Sequence, residues 1–174
     1  GVVRLFVGSG RFHTLDELAM PDDLTTPLQS LLRQTSGVFV IAGPAGSGKT
    51  TTAYACLREI LSHSEQMRSV VTLEDPIEAE LSGAAQTQVN RPPDFTYSLG
   101  LRSLLRQDPD VILVGELRDL ETIQAAISAA ETGHVVFGTL HTNSAQGTVN
   151  RIIDAFPGNL QDQIRTQLST SLIG

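Results

Sequence analysis

Lysine is almost missing from this chain. Of 174 residues only Lys49 is a lysine, and the remaining positive charge is carried by eleven arginines. A chain that avoids lysine yet keeps one marks that position as a place where an ammonium is used. Cysteine is reduced to Cys56. That excludes an internal disulfide and a cysteine-built zinc site, and leaves Cys56 as a small apolar residue. No apolar run approaches the roughly 20 residues that span a bilayer. No signal peptide is visible, so the predicted location is cytoplasmic. Positive charge is in overall deficit, with a net charge of −7 and an isoelectric point of about 4.9. Most of such a surface repels a duplex, which argues against nucleic acid as a partner. There is no internal repeat and no low-complexity tract. What remains is 40% hydrophobic and 18% charged, a globular composition with chain enough for a sizeable core.

The single lysine has a specific setting. Gly43-Pro44-Ala45-Gly46-Ser47-Gly48-Lys49-Thr50 fits G-x-x-x-x-G-K-[ST] at every fixed position. Glycines let successive backbone N–H groups turn inward around an oxygen-rich anion. The lysine reaches the β- and γ-phosphates, and the hydroxyl of Thr50 can ligate Mg²⁺. Val38–Ala42 before the loop reads as a buried parallel strand. Thr51 to Leu61 after it reads as a helix, whose N-terminal dipole adds to anion binding. The candidate nucleotide-binding stretch is therefore Gly43 through Thr51.

The rest of the chain alternates. Val2 to Val7 is a strand or a linker. Thr14 and Glu17 form a possible capping box for a short helix over Leu15 to Ala19. Pro21 to Gln34 is helical, and Gly37 closes it. Strands are predicted over Ser69–Leu73, Ala85–Val89, Val111–Val114 and Val135–Leu140. Helices are predicted over Tyr97–Gln107, Leu120–Thr132 and Ser144–Ala155, with Asp119 as N-cap and Gly133 as C′ of the second. Asn90 to Phe95 reads as loop, and Leu160 to Ile173 as an uncapped helix. Alternation of this kind predicts an α/β fold with a largely parallel sheet and helices on both faces. Residues 1–20 read as a linker from a separate N-terminal domain. Residues 21–174 read as an ATPase core cut short at its C-terminal end.

Parallel sheets bind ligands at the carboxyl ends of their strands. Three predicted strand ends here carry unusual chemistry: Glu74, Asp75 and Glu78; Gly115-Glu116; and Thr139-Leu140-His141-Thr142. Acids and a histidine beside a phosphate loop suggest metal-assisted phosphate chemistry. Asp108 to Glu116 resembles a Walker B strand, with a glycine and then Glu116 where the usual pattern has aspartate. A zinc site at His134 and His141 lacks a second ligand pair. His141 as an ordinary core histidine, and the arginines as surface ion pairs, are the plain alternatives.

Four blocks together resemble the type II secretion and type IV pilus ATPases. They are the phosphate loop; Val71 to Glu78, like that family's aspartate box; Arg106 to Asp119, like its Walker B block; and Thr132 to Thr142, like its histidine box. Glu131–His141 and Arg151–Pro157 look most like the pilus retraction (twitching motility) members. Gln107 and Asn143 look more like secretion or extension members. The resemblance implies a RecA-like P-loop ATPase core using ATP and Mg²⁺. It implies Glu78 as general base, Glu116 as the Walker B acid acting at Mg²⁺ with Thr50, and Lys49 on the phosphates. It implies His134 and His141 as a pair that senses nucleotide or relays its state to a neighbouring subunit. It implies Arg4, Arg102, Arg106, Arg118 and Arg151 as arginines linking nucleotide, domains and subunits. It further implies a homohexamer working on an inner-membrane platform protein, peripheral to the bacterial inner membrane. A type IV secretion ATPase of related build is the nearest alternative. A small-molecule kinase lacks any segment readable as an acceptor lid. A GTPase lacks Asn-Lys-x-Asp, and a regulator without turnover has no need of Glu78 and Glu116.

Overall fold

A computed structural model describes residues 14–63, 67–89 and 96–174. The predicted Val2–Val7 strand, the Asn90–Phe95 loop and Arg4 lie outside the described residues. Five strands form the sheet: β1 (Gly37–Ala42), β2 (Val70–Glu74), β3 (Ala84–Gln88), β4 (Val111–Val114) and β5 (Val135–Leu140). Their order is β1-β5-β4-β2-β3, and every pairing is parallel. All the strands therefore end on the same edge of the sheet. Among the described residues six α-helices accompany them: α1 (Asp22–Leu32), α2 (Lys49–His63), α3 (Tyr97–Leu105), α4 (Leu120–Glu131), α5 (Ala145–Asp154) and α6 (Gln161–Ser171).

The two-residue period of the strands divides the core. Val70, Val111, Leu113, Val135 and Phe137 pack with Tyr54, Leu57 and Ile60 of α2, and with Leu32 and Leu15. The alternate residues Val71, Leu73, Ile112, Val114 and Val136 pack with Leu101, Leu104, Ile123, Ile127 and Leu168 of α3, α4 and α6. Both faces are covered, as the alternation predicts. Strands β2, β4 and β5 are buried throughout, whereas edge strand β3 carries Gln86 and Gln88 and is partly exposed.

Local chemistry sets the boundaries. The Asp119 carboxylate accepts from Thr122 N–H at 2.8 Å and starts α4. Gly133 follows that helix at φ 98°. Helix α3 stops at Leu105, two residues short of expectation, and Asp108 takes φ 52°. Asp108 precedes Pro109, whose ring disfavours right-handed helical geometry at the residue before it. Thr14 N–H donates to Glu17 at 2.9 Å, but the segment closes as a 3₁₀ turn over Asp16–Leu18 rather than an α-helix. The last predicted helix also ends early, at Ser171. Leu172 to Gly174 then run extended beside β1, where Ile173 N–H donates to Val38 and Val40 N–H donates to Gly174.

Candidate active site

The phosphate loop joins the end of β1 to the start of α2. Gly46 and Gly48 hold φ 75° and 90°, in the left-handed region that favours glycine. Lys49 arches back over the loop and donates to the carbonyls of Gly43 and Pro44 at 3.0 and 2.9 Å. Its Nζ also lies 3.3 Å from Nδ1 of His141, which leaves the end of β5. On the other ring nitrogen, Nε2 stands 3.7 Å from Oε1 of Glu116, which leaves the end of β4. The second oxygen of Glu116 accepts from Arg118 Nε at 2.5 Å. That bond raises the pKa of the half-exposed Arg118 guanidinium.

The step from aspartate to Gly115-Glu116 has a steric reason. A Cβ at position 115 would lie 3.2 Å from the Leu73 carbonyl oxygen and 3.3 Å from Glu74 Cα. Gly115 N–H still donates to that carbonyl at 2.8 Å. Backbone from β2 thus crowds a side chain at 115, and the acid is presented one residue later.

Beyond β2 the chain carries Asp75 and Glu78. Thr50 Oγ1 makes a long 3.5 Å contact with Glu78 Oε1. Together Lys49, Thr50, Thr51, Glu74, Asp75, Glu78, Tyr97, Glu116, Thr139 and His141 line a cavity of about 420 Å³. It opens where the strands end, the edge predicted for a ligand. Tyr97 sits in its wall with its phenol pushed up to about 12, first by burial and then by Asp75. Thr50 and Glu116 offer hard oxygen donors suited to Mg²⁺. Among the described residues no group of three or more His, Cys, Asp or Glu forms a complete metal cage. Mg²⁺ commonly binds through one or two protein oxygens together with substrate phosphates, and the Thr50 hydroxyl and Glu116 carboxylate are oxygens of that kind.

Several candidates do not converge here. His134 precedes β5, so it lies at the opposite edge of the sheet, roughly 20 Å from His141 at strand rise. Its Nδ1 is 2.9 Å from the Ala129 carbonyl and 3.2 Å from Thr132 Oγ1, closing the end of α4. Arg102 on α3, Arg106 after it and Arg151 on α5 are exposed and do not line the cavity. Arg106 bonds Ser103 at 3.1 Å. Gly43, Pro44 and Ser47 face a second, more apolar cavity behind the loop.

Sequence reasoning names Glu74 only as a strand-end acid and misses the network around it. Glu74 is 3% exposed, and its two oxygens are occupied. Oε2 accepts from Tyr54 O–H at 2.5 Å. Oε1 accepts from Thr72 Oγ1 at 2.5 Å and from Gln86 Nε2 at 3.3 Å. Burial, and then the Glu74 contact, raise the Tyr54 phenol pKa, which keeps it a donor. The available signal was parity: Thr72 and Glu74 are two polar residues on one face of an apolar strand.

A family model described as Type II/IV secretion system protein matches residues 2–173. Type II secretion system protein E of Aeromonas hydrophila is 53% identical over 153 residues, covering 88% of this chain and 30% of that protein. The crystal structure of the pilus retraction motor PilT with bound ADP matches with TM-score 0.79 and 42% identity, over 92% of this chain and 46% of that one. The Legionella pneumophila ATPase DotB matches with TM-score 0.80 and 33% identity, over 92% and 44%. The chain spans about a third of the length of the curated relatives it matches. Its fold is the RecA-like P-loop fold of secretion ATPases, and the chain belongs to the type II/IV secretion system protein family.

Proposed function

We propose that this chain is the nucleotide-binding core of an ATPase that couples Mg-ATP hydrolysis to mechanical work on a type IV pilus or type II secretion assembly. The observation that carries the reading is the convergence of Lys49 and Thr50 with Glu78 and Glu116 on one cavity. Loop amides and Lys49 take the phosphates and stabilise charge on the transferred phosphoryl group. Lys49 exchanges its loop carbonyls for phosphate oxygens. Glu78, which the Thr50 hydroxyl contacts, orients water and accepts its proton. Arg118 fixes Glu116 in place. Four acids line the cavity against one lysine and one histidine, so a bare triphosphate is repelled there. Thr50 and Glu116 would hold Mg²⁺, which would supply a cation to offset this charge. Identity of 53% to a type II secretion protein E and 42% to a pilus retraction motor supports this pair of machines.

The full-length protein works as a homohexamer on an inner-membrane platform, peripheral to the bacterial inner membrane. Among the described residues no helix is long and apolar enough to cross a membrane. Arg102, Arg106 and Arg151, exposed and away from their own cavity, serve a neighbouring subunit, with Arg4 as a further candidate. An arginine donated in trans acts only after assembly. Turnover per subunit of the full-length protein therefore rises with protein concentration, in step with ring formation by light scattering. A stable monomer with full, concentration-independent activity would contradict this and favour a self-contained kinase-like site.

A further inference from the structure

The cavity explains where Glu78 stands but not what keeps it there. Glu78 lies four residues beyond β2, in a segment with no regular structure before Ala84. Backbone groups of that segment are held instead by side chains from two other elements. Ile77 N–H donates to Gln88 Oε1 at 3.3 Å. Leu81 N–H donates to Gln86 Oε1 at 2.7 Å, and Gln86 Nε2 donates to the Ala79 carbonyl at 2.9 Å. The third grip comes from the phosphate-loop helix. Tyr54 O–H is 3.3 Å from the same Ala79 carbonyl, besides its shorter bond to Glu74. Tyr54 is one helical turn beyond Thr50 and fully buried.

We propose that Tyr54, Glu74 and Gln86 form a positioning unit that ties the phosphate-loop helix to the Glu78 segment. Glu74 is its buried anchor: it accepts from the helix through Tyr54, from its own strand through Thr72, and from β3 through Gln86. The unit sets the separation between Thr50 and Glu78, whose side chains meet at 3.5 Å. None of the three needs to touch the reacting atoms. They act through Glu78, so the inference rests on the proposed function. A catalytic base displaced by about 1 Å can lose a hundredfold in rate. Loss of one hydroxyl that fixes its segment should therefore be visible in turnover while binding is spared.

The test is a double-mutant cycle in the full-length protein, read by single-turnover ATP hydrolysis and by Mg-ATP calorimetry. Tyr54→Phe removes only the hydroxyl. The expected result is a tenfold to hundredfold slower hydrolysis step, as order-of-magnitude figures, with Mg-ATP affinity changed by less than about threefold. In the Glu78→Gln background the same substitution should have little further effect, because the residue it positions is already disabled. A merely structural role lowers the melting temperature but slows hydrolysis equally in both backgrounds, and that result overturns the inference. Parent-rate hydrolysis by Tyr54→Phe with Glu78→Gln inactive overturns it too, and leaves the proposed function intact. Parent-rate hydrolysis by Glu78→Gln removes the general-base reading and, with it, the positioning unit. If Tyr54→Phe does not fold, Gln86→Met enters the same cycle with the same expectations.

Discussion

Glu78 and Glu116 reach the cavity from different supports. Glu116 follows directly from β4 and is fixed by Arg118 at 2.5 Å. Glu78 stands in an irregular segment, within reach of Thr50. The two acids should therefore fail differently. Glu78→Gln is expected to bind Mg-ATP within a few-fold of the parent while hydrolysis falls by roughly a hundredfold or more, since an amide cannot take the proton. Glu116→Gln is expected to weaken the dependence of ATP binding on Mg²⁺. Calorimetry with and without Mg²⁺, beside phosphate release, separates them; parent-rate hydrolysis by Glu78→Gln would remove its assignment. At this scale the sequence shows residues that follow strand ends, because all parallel strands finish on one edge. His134 shares a motif with His141, yet a strand separates them, so motif membership did not imply proximity. Tyr54, Glu74 and Gln86 come from three elements, and their meeting depends on how α2 packs on the sheet.

Among the elements, the apolar runs and caps were legible and the ends less so. The position of Asp119 before Leu120 announces α4, and its carboxylate does bond Thr122 N–H. Asp119→Ala should cost about 1 kcal/mol of stability, the usual value for a lost N-cap. Urea denaturation measures it, and an unchanged midpoint would show the cap to be idle. This helix leads from β4 to β5, and the parallel pairing of those strands brings Glu116 and His141 side by side. Strand order was not legible. The placing of β5 between β1 and β4 is a non-local choice, and it is what sets His141 between Lys49 and Glu116. The extended path of Leu172 to Gly174 was hidden for the same reason, since it depends on hydrogen bonds offered by β1.

For the whole molecule, burial of ionisable groups dictates an alkaline limit. Burial, then Glu59, pushes the Cys56 thiol from 9.0 up to about 12. Tyr97 moves from 10.0 up to about 12. Both groups lose their protons more easily in the unfolded chain. Their contribution is therefore complete below pH 9 and is lost as pH rises toward 12. Stability should decline between pH 9 and 11, and Cys56→Ala should remove the earliest part of that decline. Thermal melts across this range measure it, and a flat profile would contradict the assigned burial.

The central claim is that the phosphate loop, through Lys49, binds and turns over Mg-ATP. The full-length protein and its Lys49→Ala variant, compared by Mg-ATP calorimetry and phosphate release, test it most directly. The expected result is that the variant stays folded but loses most of its Mg-ATP affinity or its turnover, because Lys49 is the lysine that the phosphate loop sets in the cavity wall. Unchanged affinity together with unchanged turnover in Lys49→Ala would contradict it.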